Sequence, residues 1–469
     1  MRTPVYLSCM SVAVALVGCA SALPPAPALP AAAAPAQWQA PLPHKGTLTD
    51  LSRWWQDLGD PLLVDLIDAA QQASPSLASA RARVLQARAT WRQAQARLGP
   101  TLDASAGASR GVTQPATPVA STLQAGVQAS WEIDLFGANR LGSDAAQARL
   151  DSAQALWHDA RVLVAAEVAN RYFNQRACVQ QTRIARADAQ SRQETARLSA
   201  LSLKAGFTAS GTAALARAAA ADAQGRATRQ AALCDIDVKA LVALTGLPEA
   251  MLTGRLASAP DDLAAQAQLA VASVPAETLA QRPDVFGAQR AVLAAGLETG
   301  IAQAQLYPRL SLSGSIGALH VRAAGSSDSM ATWSIGPLAL SVPLFDGGQR
   351  DAAIEAARAR YDDALASYQG TVRQAVRETE EALVTLQSTA ARVDDAQTAE
   401  AGYRDWLQAT ESRYRGGLAS LVELEDARRT RLASADALVT LRRERIQAWI
   451  ALYRAAGGGW HPQADGPQP

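Results

Sequence analysis

Two proline-free windows constrain this chain more than any other feature. No proline falls between Pro118 and Pro248, or between Pro343 and Pro462. A proline inside a helix removes a hydrogen bond and clashes with the preceding turn, so both windows can carry long helices. In the first, Ala138 to Lys204 reads as one helix; in the second, Gly347 to Tyr414 does. At the usual rise per residue each is about 100 Å long, against about 30 Å for a small domain. A single globular core has no room for such helices. The second keeps a 3-4 spacing at Leu365, Tyr368, Val372, Ala375, Thr379, Ala382, Leu386, Thr389 and Val393, the seam of a coiled coil.

The two helices belong to a duplicated unit. Leu98-Gly99-Pro100 returns as Leu306-Tyr307-Pro308, at an offset of 208. Asp134-Leu135-Phe136-Gly137 returns as Pro343-Leu344-Phe345-Asp346-Gly347, at 209, and Lys204-Ala205-Gly206-Phe207 as Arg415-Gly416-Gly417-Leu418, at 211. So small a drift over so long a stretch marks a repeat with short loop insertions. Gly206, Gly416 and Gly417 are the helix reversals. After each, a shorter helix returns, Gly211 to Thr245 and Ser420 to Ala455. With the helices at Pro75–Leu98 and Pro283–Leu306, these give each long helix two shorter partners, stacked end to end and antiparallel to it.

Between the helices the period changes to two. Leu123, Ala125, Val127, Ala129, Trp131, Ile133 and Leu135 alternate with Gln124, Gly126, Gln128, Ser130, Glu132 and Asp134. This predicts strands at about 101–110 and 122–135, and in the second repeat at about 309–320 and 332–344, joined by polar loops at 111–121 and 321–331. In the last strand the phase slips at Gly336-Pro337, which suits a bulge or an unpaired edge position. The strands exceed the usual soluble length and reach the roughly 9 to 11 residues that cross a bilayer. Trp131 and Trp333 suit either an interfacial aromatic belt or ordinary strand packing. Four strands cannot close a barrel, and an open edge in lipid leaves backbone groups unpaired. Two, three or more copies of the chain would satisfy this.

The N-terminus reads as an address. Residues 1–18 form a signal peptide, and Leu16-Val17-Gly18-Cys19 is a lipobox whose cysteine takes a diacylglyceryl group. Ala20 stands where an inner-membrane retention signal would place Asp. Residues 19–50 form a lipid-anchored tether rich in Pro and Ala. The first repeat then covers 51–250, a connector 251–275, the second repeat 276–456 and a flexible tail 457–469. Of the remaining cysteines, Cys178 and Cys234 could form a disulfide in an oxidising compartment, but two isolated small core residues is the simpler reading.

Several function classes find no support. Lys and Arg number 44 against 43 Asp and Glu, so the charge balance gives no case for nucleic acid. His44, His158, His320 and His461 match no metal spacing. Gly457-Gly458-Gly459 ends a helix, where no phosphate is cradled. No nucleophile–base constellation presents itself, so neither catalysis nor a cofactor is expected.

In order, twice over, the lipobox, Trp54-Trp55 with Gly59-Asp60-Pro61, Ala94-Gln95-Ala96-Arg97-Leu98-Gly99-Pro100, Asp134-Leu135-Phe136-Gly137, Arg282-Pro283-Asp284-Val285, Pro343-Leu344-Phe345-Asp346-Gly347-Gly348 and Arg413-Tyr414-Arg415-Gly416-Gly417 resemble the TolC-like outer-membrane channels, specifically their lipoprotein (NodT-type) branch. The resemblance covers about Leu51 to Ala456. It implies a mixed α and β membrane protein: a homotrimer whose four strands per chain complete a twelve-strand outer-membrane β-barrel on a long periplasmic α-helical barrel. It implies a periplasmic adaptor and an inner-membrane pump, of the resistance-nodulation-division type, as partners. The chain would sit in the outer membrane of a Gram-negative bacterium, anchored through Cys19 and passively conducting drugs or other small molecules. The same architecture could instead serve type I protein secretion, against which the lipobox tilts, or form a helical scaffold without a pore. In that family the periplasmic tip is a gate. By position, Glu423 and Asp426 occupy its acidic rings and Tyr414 its aromatic position, while Ala419 replaces a basic latch residue.

Overall fold

The protein is described from a computed structural model covering residues 35–42, 51–112, 119–258 and 275–460. The signal peptide, Cys19, most of the tether, part of the first hairpin loop, most of the connector and the last nine residues lie outside the described residues. After a short 3-10 turn at Leu51–Arg53, the helices are α1 (Trp54–Asp57), α2 (Pro61–Ala73), α3 (Pro75–Ala96), α4 (Ala138–Lys204), α5 (Ser210–Thr245), α6 (Glu249–Ser258), α7 (Pro275–Ala280), α8 (Pro283–Ala304), α9 (Gln349–Arg415) and α10 (Leu421–Ala455). The strands are β1 (Thr101–Gly111), β2 (Ala120–Ile133), β3 (Arg309–Ala323) and β4 (Ser326–Ser341). The chain divides into two compact units, and α3, α4, α8 and α9 each contribute to both.

The first unit, built on Arg81–Gln154 and Gly287–Gly370, holds one antiparallel sheet in the order β1-β2-β3-β4. Ala104, Val127, Ile316 and Trp333 stand opposite one another across the four strands, as do Asp103, Gln128, Ser315 and Ser334 in the adjoining row. Side chains alternate between faces along a strand, so one face is apolar and the other polar. Leu102, Ile316, Trp333, Ile335 and Leu338 on the sheet are all more than half exposed. Among the described residues β1 and β4 are paired on one side only.

The second hairpin is longer than the sequence pattern predicts. Its loop is only Ala324-Gly325, both at positive φ (51° and 86°), as a two-residue hairpin turn requires. The run at 326–330 is strand rather than loop; its serines and aspartate pair with β3 through the backbone and hide the alternation. The bulge falls at Gly336-Pro337, where these two residues of β4 face the single Ser313 of β3, between Leu312 and Gly314.

At the foot of the sheet, carboxylates start the long helices. Asp134 accepts from Asn139 N and Arg140 N at 3.2 and 2.9 Å, and Asp346 from Gly348 N and Arg350 N at 3.0 and 3.2 Å. The second long helix thus begins at Gln349, two residues later than predicted, because Gly347 and Gly348 both take positive φ. The Trp131 indole donates to Leu98 O at 3.0 Å.

The second unit contains the main core. Asp60 caps α2 by accepting from Leu62 N and Leu63 N at 3.1 and 3.2 Å, and it accepts the Tyr172 hydroxyl at 2.6 Å. Burial, then the Asp60 bond, raises the Tyr172 pKa. Trp54, Trp55 and Tyr453 form a triangle of ring contacts at 4.4 to 4.8 Å, amid buried Leu63, Leu66, Val168, Leu241, Leu252, Ile450 and Leu452.

Three segments depart from the sequence reading. Part of the expected tether is docked: Trp38 is buried, and Gln39 N and Ala40 N donate to Glu380 at 2.6 and 2.8 Å. The connector opens with a helix, α6, whose Leu252 and Leu256 are buried. The expected tail is packed where it begins, with Trp460 buried edge-on against Phe286 at 5.0 Å. In each case an apolar side chain, Trp38, Leu252 or Trp460, finds a place in the core.

The short helices meet end to end within this unit. After α5, Gly246 sits against Ala73, just before α3. After α10, a Cβ on Gly457 would lie 2.1 Å from Gln281 O, just before α8. Only glycine fits so close an approach. Arg282 Nη1 spans the second joint to Ala455 O at 3.1 Å.

Candidate functional site

Both reversals share one geometry. Phe207 N bonds Ser202 O at 2.9 Å and Gly206 N bonds Leu203 O at 3.0 Å. Leu418 N bonds Arg413 O at 2.8 Å and Gly417 N bonds Tyr414 O at 3.0 Å. This is a Schellman closure, with the left-handed residue at Gly206 (φ 79°) and Gly417 (φ 75°). Gly416 takes no positive φ and lies inside the last turn.

The second reversal brings together the three residues singled out from the sequence. Ser420 and Glu423 form a capping box on α10: Glu423 N donates to Ser420 Oγ at 3.1 Å, and Ser420 N donates to Glu423 Oε2 at 2.7 Å. That backbone bond, helped by Arg413 at 3.5 Å, holds the exposed Glu423 carboxyl below the usual carboxylate range. Asp426, three residues on, pairs with Arg429 at 2.5 Å and is also exposed. Tyr414 is half-buried against Ala216, Leu421 and Leu424. Although Ala419 carries no charge, each acid has an arginine partner within its own chain.

A group not found from the sequence lies one turn deeper. Arg192 on α4 pairs with Asp188 at 3.0 Å and directly with Glu425 on α10. Arg428 on α10 bonds Glu425 at 3.1 Å, Thr195 Oγ1 on α4 at 2.6 Å and Glu411 on α9 at 3.4 Å. Arg226 on α5 adds a bond to Asp188 at 3.3 Å. The side chains of Asp188, Arg192, Glu425 and Arg428 are at most 12% exposed, so the network is desolvated. Three acids face three arginines, which is the balance that buried charges need. The i, i+3 pair of Glu425 and Arg428 is legible in the sequence; its partners on other helices are not.

Cys178 and Cys234 form a disulfide between α4 and α5, with Cα atoms 5.5 Å apart. This corrects the reading of two isolated core cysteines. The two are equidistant in sequence from Gly206, so an antiparallel hairpin turning there sets them face to face.

A second charged cluster surrounds the joint at Arg282, which bonds Asp284 at 2.7 Å and Glu378 at 3.0 Å. Glu378 also takes Arg454 at 3.0 Å. Burial, reinforced by Asp284, pushes the nearby Asp159 carboxyl up to about 6, against the pull of Arg282 and Arg454. Among the described residues no group of His, Cys, Asp and Glu is placed to hold a metal ion, and no helix is long and apolar enough to cross a membrane.

Comparison with known proteins gives one answer. A family model described as outer membrane efflux protein matches residues 66–247 and 274–458, one match per repeat. The pyoverdine export outer membrane protein OpmQ of Pseudomonas putida is 30% identical over the full length of both chains. Nodulation protein T of Rhizobium leguminosarum bv. viciae is 26% identical over 87% of this chain and 85% of its own. The crystal structure of the outer membrane protein VceC from Vibrio cholerae superposes with a TM-score of 0.74 at 28% identity, covering 87% of this chain and 99% of that one. The duplicated hairpin-and-long-helix unit, the two reversals and the paired matches agree, and the chain belongs to the outer membrane efflux protein family, whose members are outer-membrane components of efflux pumps.

Proposed function

We propose that this chain works as a homotrimer, in which three four-stranded sheets close a twelve-strand barrel in the outer membrane and the helices form a periplasmic barrel beneath it. The observation that carries this reading is the sheet itself: four membrane-length strands, an exposed apolar face, a polar face and two open edges. An open edge in lipid is prohibitively costly, and closure by further copies removes it. The polar face would line a water-filled pore, and the apolar face would meet lipid.

On this reading Cys19 carries the lipid anchor, and the duct is passive and without catalysis. Its energy comes from an inner-membrane pump of the resistance-nodulation-division type, reached through a periplasmic adaptor. Phe207 and Leu418, 86% and 75% exposed at the two reversals, support apolar contact with such an adaptor. Three copies of Glu423 and Asp426 would ring the entrance beside Tyr414, a device for binding or repelling ions. The full-length relative OpmQ is named for pyoverdine export, which favours small molecules as cargo here. Native mass spectrometry of detergent-extracted outer membranes tests the assembly: the reading expects three chains per particle, and a monomer or an even-numbered ring contradicts it.

A further inference from the structure

The repeat allows a contact seen within one chain to be carried to the next. After β2 comes Leu135-Phe136, and the Phe136 ring stacks on Tyr307 with centroids 4.9 Å apart and planes at 17°. Tyr307 lies just before β3, the neighbour of β2 in the sheet. The aromatic that follows one strand therefore covers the residue that precedes the next.

After β4 comes the same pair, Leu344-Phe345, at the repeat offset of 209. Here it has nothing to cover. Leu344 is 93% exposed and Phe345 92%, whereas Phe136 is half-buried. Among the described residues no strand follows β4, and on the trimeric reading its neighbour comes from another copy. The free edge of β1 is the one available, and it runs antiparallel to β4. The residue just before β1 that corresponds to Tyr307 is Gly99. Gly99 offers room: a Cβ there would meet nothing nearer than Ala96 O at 3.8 Å.

We infer that Leu344-Phe345 of each subunit docks on the foot of β1 of the next, with the Phe345 ring lying over the partner subunit's Gly99. The contact rests on the trimeric reading and gives its interface a specific anchor. Register agrees with it. Ile133 stands opposite Leu310 in the β2–β3 pair, and moving each by its repeat offset sets Val342 opposite the partner subunit's Leu102. The exchange of a ring-on-ring stack for a ring on bare backbone follows from Tyr307 and Gly99 occupying the same place in the two repeats. The contact is head-to-tail, so it closes only as a ring, and it removes an exposed apolar pair that a soluble surface seldom carries.

Cysteine pairs test this in the full chain, in outer-membrane vesicles under mild oxidation. Phe345→Cys combined with Gly99→Cys is the test pair, and Val342→Cys combined with Leu102→Cys is the edge control. The expected result is a ladder of dimer and trimer on non-reducing gels for both pairs, and monomer for each single substitution. If the control cross-links and the test pair does not, the docking is overturned while edge closure stands. If neither cross-links, edge closure fails and the docking fails with it. Benzoylphenylalanine at position 345 keeps the ring should the cysteine variant be poorly inserted. Photo-adducts mapping to the 97–101 segment of a neighbouring copy are expected, and adducts confined to its own chain contradict the docking.

Discussion

Arg192 on α4 and Glu425 on α10 form a buried ion pair that joins the two helical hairpins just behind the reversals. Arg428, held by the same Glu425, adds contacts to Thr195 on α4 and Glu411 on α9. The paired helices at the tip are therefore tied by charge as well as by the small apolar cluster of Ala216, Leu421 and Leu424.

Glu425→Ala should be among the most damaging substitutions near the tip. It strands Arg192 and Arg428 without a shared carboxylate, and breaking a buried pair from one side costs about 3 to 5 kcal/mol. Asp426→Ala, one residue on, removes only the exposed pair with Arg429 and should cost about 1 kcal/mol or less. Thermal unfolding followed by circular dichroism compares the two. Equal losses would mean that the network carries no stability.

Cys178→Ser should lower stability by about 2 to 4 kcal/mol, since the cross-link restricts the unfolded chain. In the mature wild-type protein neither Cys178 nor Cys234 should react with a maleimide until a reductant is added. Labelling of the unfolded, unreduced chain at both positions would show that the bond does not form.

The Asp159 carboxyl has a pKa near 6 in the folded chain, against 3.8 for the free side chain. Between these values the folded state holds a proton that the unfolded state has released, so the folded state binds more protons and stability falls as pH rises through that window. Above pH 6 the full penalty applies, on the order of 3 kcal/mol or less. Asp159→Asn should therefore raise the unfolding midpoint at pH 7 and leave it nearly unchanged at pH 4. A variant equally affected at both pH values would contradict this origin.

The capping box makes a separable prediction for Glu423. Glu423→Gln retains a side chain able to accept from Ser420 N and should keep most of the helix stability, whereas Glu423→Ala should lose about 1 kcal/mol. Both remove the charge, so both should reduce the cation preference of the pore. A change in selectivity in the alanine variant alone would assign the effect to the cap and not to the charge.

Much of this molecule is legible in one sequence because period and punctuation act locally. The β2 alternation, the proline-free helices and the two glycine reversals each depend on neighbouring residues. The second hairpin is partly hidden because residues 326–329 are polar on both faces, so only the Ala324-Gly325 turn marks it. Trp38 and Trp460 dock from segments whose composition reads as unstructured; a lone tryptophan in Pro/Ala-rich or Gly-rich sequence was the available sign. The pairing of Cys178 with Cys234 follows from their equal distance from Gly206 once the hairpin is drawn. The Arg192–Glu425 pair is different in kind: it joins residues on two hairpins, and nothing local fixes how those hairpins align.

The central claim is that this chain forms a water-filled duct. Single-channel recording of the purified assembly in planar bilayers tests it most directly. Discrete ohmic steps are predicted, small in the wild type and larger when Glu423→Ala and Asp426→Ala are combined at the entrance. A fully assembled trimer that passes no current, even with both acids removed, would contradict it.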